Sequence, residues 1–240
     1  MSKKTYTIGG KKAMMQSLLA LFLFFTAGIH MASTSDDHQK QNPPVNQVAP
    51  VKQESASEKK IYNAPPEMKI DTTKSYQALV KTNKGDFTID LFADAAPKTV
   101  NNFVFLAREG FYDDIVFHRI IQSFMIQTGD PTGTGSGGPG YKFEDELNSK
   151  FQYEPGIVAM ANAGRNTNGS QIFICTGEDS RSLNKVPNYT IFGKVTSGMD
   201  TVLKIAGTKV TAQQSGEVSH PTEKIVINSV SIIEKDHEAQ

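Results

Sequence analysis

The 240-residue sequence has one cysteine, Cys175, and no tryptophan. A single thiol excludes an intramolecular disulfide and any multi-cysteine zinc site. Histidine is almost as scarce where it could matter. Only His118 and His220 fall within the aromatic-rich part of the chain, and neither sits at a metal-ligand spacing. Net charge is missing too, with 25 basic residues against 25 acidic ones, which argues against a dedicated nucleic-acid binder. Between His30 and Lys84 there is neither glycine nor phenylalanine, so that stretch lacks both the turns and the bulk of a core.

What is present is unevenly distributed. Every charge in residues 1–32 is a lysine (Lys3, Lys4, Lys11, Lys12), followed by the apolar run Leu18–Ile29. Basic residues ahead of about a dozen apolar ones have the pattern of an export signal. The span Ala13–Ala32 is also long enough for an uncleaved anchor. Residues 1–32 are therefore read as a signal peptide or membrane anchor, which places the rest of the chain outside the cytoplasm. Residues 33–75 are rich in Ser, Gln, Asn and Lys and hold prolines 43, 44, 50, 65 and 66. This composition reads as a disordered linker. Eleven of the fourteen phenylalanines lie between Phe87 and Phe192, so a single domain is expected over 76–236, with a tail at 237–240.

Within the domain, Gln77–Lys81 and Asp86–Phe92 are β-rich runs joined by a turn at Asn83-Lys84-Gly85. Pro97 opens a helical pattern of Val100, Phe103, Val104 and Ala107 that ends at Gly110. Short strands are expected at Ile115–Ile121, Phe124–Thr128, Ile157–Ala161, Gln171–Cys175, Thr190–Val195 and Ile225–Ile233, with a second helix from Met199 to Ile205. Many short strands with two helices point to a mainly-β barrel.

The motifs exclude more chemistry than they offer. Gly133–Gly140 lacks the Gly-Lys-Ser/Thr ending of a phosphate loop. No Gly-x-Ser-x-Gly elbow is present, and Cys175 closes an apolar strand where a thiol is inert. Two segments stand out: Phe117-His-Arg-Ile-Ile-Gln-Ser-Phe-Met-Ile-Gln-Thr-Gly-Asp130 and Met160-Ala-Asn-Ala-Gly-Arg-Asn-Thr-Asn-Gly-Ser-Gln-Ile-Phe-Ile-Cys-Thr176. They supply a guanidinium, amides and large apolar side chains, with no nucleophile. Such a set suits binding and polarising a neutral backbone.

These two segments, together with Phe192-Gly-Lys-Val195, resemble the signature of the cyclophilins, which are peptidyl-prolyl cis–trans isomerases. The resemblance runs from about Tyr76 to Lys235. It implies a closed eight-stranded antiparallel β-barrel capped by two α-helices. It also implies isomerisation of Xaa-Pro bonds in unfolded or exported polypeptides, assisting their folding. A catalytically weak module that holds proline peptides, or a chaperone using the same groove, is the alternative. By similarity, Arg119, Phe124, Gln127 and His118 form the catalytic set. Met125, Ala161, Asn162, Gln171, Phe173, Leu183 and Tyr189 bind substrate. No cofactor, metal or nucleic acid is implied; the partners are proline-containing chains, plus a membrane if the N-terminal segment stays attached, and a monomer is expected. The sequence departs from many family members at the groove rim. Arg181-Ser182-Leu183 stands where they carry Trp-Leu, and Tyr189 stands where they carry His, so weakened binding of cyclosporin-type inhibitors is expected.

Overall fold

The computed structural model describes residues 60–236, apart from 148 and 149. The signal or anchor segment expected at 1–32, the first part of the expected linker and the 237–240 tail lie outside the described residues. Among the described residues, ten strands, two α-helices and one 3-10 helix follow in order. β1 (Ser75–Thr82) and β2 (Gly85–Leu91) form the expected hairpin and lead into α1 (Pro97–Arg108). β3 (Arg119–Ile121) and β4 (Met125–Thr128) form a second hairpin, followed by β5 (Ile157–Met160) and β6 (Ile172–Cys175). After the 3-10 helix Glu178–Lys185 come β7 (Ile191–Ser197), α2 (Met199–Ala206), β8 (Val210–Ala212), β9 (Val218–Pro221) and β10 (Ile227–Lys235).

Eight strands make one antiparallel sheet in the order β10-β1-β2-β7-β5-β6-β4-β3, and β8 and β9 pair separately. The two outer strands, β10 and β3, are not joined by a ladder. Across that seam the chain makes one isolated bridge, Val116 with Val226, supported by Phe117 N–H to Ile225 O and Ile227 N–H to Ile115 O. The closed barrel with two helical caps is therefore corrected to an open, curled sheet carrying three helices. The physical reason lies in the segment 114–118. Ile115–Ile121 is expected as one strand, but Asp114, immediately before it, takes a left-handed φ of 62°. Residues 114–118 meet 225–227 and Gln127 through one isolated bridge and single hydrogen bonds rather than a ladder, and the ladder begins only at Arg119, leaving β3 three residues long. The third helix carries no apolar stripe that would mark it in the sequence: Ser180 is its one buried residue.

Period-two alternation sorts the sheet into two faces. Ile120, Ile126, Ile174, Val158 and Met160 point into the main core with Phe103, Val104 and Leu106 of α1. Their neighbours Met125, Phe173, Cys175 and Ala159 point outward into a second, smaller apolar cluster that includes Tyr153, Ile157 and Ile191. Burying so many large side chains at roughly 1.5–3 kcal/mol each makes the main core the chief source of stability. The second cluster has a different consequence: it floors a groove on the outside of the sheet.

The N-terminus of α1 is capped from far away in sequence. Pro97 occupies its first turn, and Ala96 offers no side-chain acceptor. The Glu146 carboxylate instead accepts from the amides of Lys98 (3.1 Å) and Thr99 (2.9 Å) and from the Thr99 hydroxyl (2.7 Å). Residues 60–74 form no helix or strand, but they lie against the domain. Asn101 Oδ1 accepts from the amides of Lys69 and Ile70, and Tyr62 packs on Phe105 with ring centroids 5.1 Å apart.

Candidate functional site

Register brings the two motif segments together. Arg119 of β3 pairs with Gln127 of β4, and Gln127 pairs with Phe173 of β6, so these three side chains form one row across the sheet. Ile121 pairs with Met125 in the neighbouring row. The β3–β4 turn is closed by Phe124 N–H to Ile121 O at 2.9 Å, which places Phe124 beside the row. Gly177 lets the following segment approach this turn. A Cβ there would sit 2.5 Å from Ser123 O, closer than any side chain tolerates.

Nine of the eleven residues singled out from sequence line one cavity of about 170 Å³: Arg119, Phe124, Met125, Gln127, Ala161, Asn162, Phe173, Leu183 and Tyr189. Met125 and Phe173 form its buried floor. Tyr189 meets Phe173 edge-on, with centroids 5.4 Å apart and an interplanar angle of 88°. The Tyr153 hydroxyl holds the Tyr189 backbone by donating to its carbonyl at 2.5 Å. Asn162 spends its side chain on the loops, donating to Asn188 O (3.0 Å) and accepting from Gly164 N–H (3.2 Å). Its main-chain N–H and C=O make no hydrogen bond among the described residues.

Gln171 and His118 sit one step away. Gln171 lines an adjoining cavity of about 690 Å³ that shares Gln127, Ala161 and Asn162 with the first. A relay of amides connects the two. Arg119 Nη1 lies 3.4 Å from Gln127 Oε1, Gln127 Nε2 donates to Gln171 Oε1 (2.9 Å), and Gln171 Nε2 donates to the carbonyls of Gly135 (3.0 Å) and Gly137 (2.8 Å). The glycine-rich loop is anchored in turn by the buried Asp130 carboxylate, which accepts from the amides of Thr132, Thr134, Gly135 and Gly137. Burial would raise that carboxyl, but the donors around it hold it below the usual range. Gly137 is required by contact distance, since a Cβ would lie 2.0 Å from Asp130 Oδ1.

His118 is buried behind Arg119, and among the described residues neither ring nitrogen has a hydrogen-bond partner. Desolvation pushes its pKa down. Asp130 opposes that shift, while Arg119 and His220 reinforce it. The ring lies under the loop at Gly135, whose Cβ would meet it at 3.7 Å.

One residue at the site was not legible in the sequence. Glu217, in the β8–β9 hairpin, accepts from Arg119 Nε and Nη2, both at 2.7 Å. Ser215-Gly216 marks the turn of that hairpin, but a partner 98 positions away has no local signature. Among the described residues no cluster of His, Cys, Asp or Glu could hold a metal ion. Among them, too, no helix is long and apolar enough to cross a membrane.

Comparison with known proteins gives this arrangement a context. Residues 78–232 match the family described as cyclophilin type peptidyl-prolyl cis-trans isomerase. A probable peptidyl-prolyl cis-trans isomerase A of Mycobacterium leprae is 47% identical over 171 residues, covering 65% of this chain and 91% of that protein. A peptidyl-prolyl cis-trans isomerase-like 1 of Gibberella zeae is 42% identical over 164 residues, covering 67% of this chain and 96% of its own. The crystal structure of a cyclophilin type isomerase of Cryptosporidium parvum superposes with a TM-score of 0.58 at 36% identity, covering 66% of this chain and 98% of that one. The same protein was also solved in the presence of the dipeptide Ala-Pro, with a TM-score of 0.57 and 36% identity, covering 65% of this chain and 98% of that one.

Proposed function

The chain belongs to the cyclophilin-type peptidyl-prolyl cis–trans isomerases, enzymes that act on Xaa-Pro bonds, and on that premise we propose how its own residues divide the work. The barrier to be lowered is the loss of amide resonance, about 20 kcal/mol. At the twisted transition state the proline nitrogen regains its lone pair and becomes a hydrogen-bond acceptor. A donor aimed there binds the twisted state better than either planar one, which is the requirement for catalysis.

Arg119 is that donor. Its guanidinium is permanently charged, and its Nη1 faces the cavity beside Gln127 and Met125. Phe124, Met125, Phe173 and Leu183 take the proline ring, and Tyr189 fixes Phe173 from the side. Gln127 orients Arg119, Ala161 and Gln171 line the groove beyond, and the free main-chain groups of Asn162 hold the substrate backbone. His118 supports the loop from beneath without exchanging a proton. The observation that carries this reading is the single cavity with the guanidinium on one wall and the apolar floor on the other. Its test is Arg119→Lys, which keeps the charge but loses the planar fork. Turnover on an Xaa-Pro peptide should fall about tenfold or more, and an unchanged rate would remove the geometric role.

The partners we infer are proline-containing segments of unfolded chains, met outside the cytoplasm. The support is the lysine-led apolar segment at 1–32 and the Ser- and Gln-rich stretch behind it. Fractionation of cells producing the full chain tests this directly. The domain is expected in the membrane or extracytoplasmic fraction, and recovery only with cytosolic proteins overturns it.

A further inference from the structure

We propose that Glu217 is a positioning residue for Arg119: its carboxylate clamps two edges of the guanidinium so that Nη1 alone is presented to the groove. The inference rests on Arg119 being the donor to the proline nitrogen. A carboxylate that accepts from Nε and Nη2 together, both at 2.7 Å, fixes the plane of the guanidinium as well as its position. What remains is Nη1, with only the long contacts to Gln127 Oε1 (3.4 Å) and Met125 Sδ (3.7 Å). That nitrogen is therefore free to strengthen a bond to substrate as the amide twists.

The clamp is itself held. Ser219, fully buried, donates from its hydroxyl to Glu217 Oε2 at 2.7 Å, and Gln213 Nε2 donates to the Ser219 oxygen at 2.7 Å. The Gln213 amide donates to Glu217 O at 2.8 Å, which closes the turn between β8 and β9. An ordinary exposed ion pair contributes little because both side chains must be ordered to form it. Here the hairpin has already ordered one partner. The carboxylate also stays ionised in any practical assay, because the bonds from Arg119 and Ser219 hold its pKa at about 2 against desolvation.

A clamp and a simple charge neutraliser predict opposite results. If Glu217 only offset the charge of Arg119, removing it would leave kcat alone and change KM and salt sensitivity. A clamp acts on the transition state, so its loss lowers kcat with KM held. The experiment measures kcat and KM on an Xaa-Pro peptide for the full chain, for Glu217→Gln, for Ser219→Ala, and for each of these combined with Arg119→Ala, with thermal melts alongside. Glu217→Gln should lower kcat about tenfold with KM within about twofold. Ser219→Ala should give a smaller loss of the same kind, and it serves as the deciding variant if Glu217→Gln unfolds. In the Arg119→Ala background neither change should cost more, since the group being positioned is gone. Wild-type kcat in a folded Glu217→Gln, or an equal loss in both backgrounds, overturns the clamp while leaving Arg119 as donor. Wild-type kcat in Arg119→Ala removes both.

Discussion

At the scale of single residues, the site is governed by which polar groups are satisfied and which are left over. His118 is left over. Desolvation lowers its pKa below the ordinary 6.5, and the groups facing it are Asp130, Arg119 and His220. The unfolded chain therefore takes up a proton that the native protein refuses. The stability tied to neutral His118 is fully present above pH ~6.5. It is lost as pH falls through the window below that value toward the lower native pKa. Urea midpoints should drop between pH 7 and pH 5, and His118→Asn should shrink the drop. An undiminished drop in the variant would assign it to other groups. Ser182, at the rim, tests a different absence. The exposed Arg181 beside it pairs with Glu178 and Glu154, and no indole is available to a cyclic peptide. By calorimetry, Ser182→Trp should tighten a cyclosporin-type ligand by roughly tenfold, and unaltered affinity would count against any effect of the missing indole.

At the scale of elements, what the sequence disclosed and what it hid have separate causes. The Asn83–Gly85 turn, the Pro97 start of α1 and the strands around Met125 and Phe173 were legible because their signals are local: turn chemistry, an N-terminal proline, period-two alternation. The same alternation, with the family resemblance, was enough to gather Arg119, Gln127 and Phe173 near one groove. Hidden were features that depend on distant partners. Glu146 caps α1 from a loop some 47 positions away, the open seam depends on how residues 114–117 meet 225–227, and Glu217 reaches Arg119 from a separate hairpin. Truncating the cap, Glu146→Ala, should cost about 1–2 kcal/mol in denaturant unfolding; no change would mean water replaces it fully. The segment before β1 is a further element of this kind. Tyr62 packs among Phe105, Phe111 and Tyr141, and its amide donates to Pro139 O at 2.8 Å. Tyr62→Ala is therefore expected to lose about 2–3 kcal/mol, and a chain beginning at residue 76 should unfold at lower urea than one beginning at residue 60. Equal midpoints would show the packing to be incidental.

At the scale of the whole molecule, two apolar clusters on opposite faces of one sheet perform different tasks. The inner one, with α1 across it, makes the sheet rigid. The outer one is left partly uncovered, and Met125 and Phe173 floor the cavity proposed to take the proline ring. Catalysis then asks little of the protein beyond holding one guanidinium at one edge of that floor. The most direct measurement is isomerisation of a short Xaa-Pro peptide by the full chain beside Arg119→Ala, with folding of both checked by circular dichroism. The wild-type chain should accelerate the reaction, and Arg119→Ala should lose about a hundredfold or more of that acceleration. A folded Arg119→Ala that turns over at the wild-type rate would contradict the account.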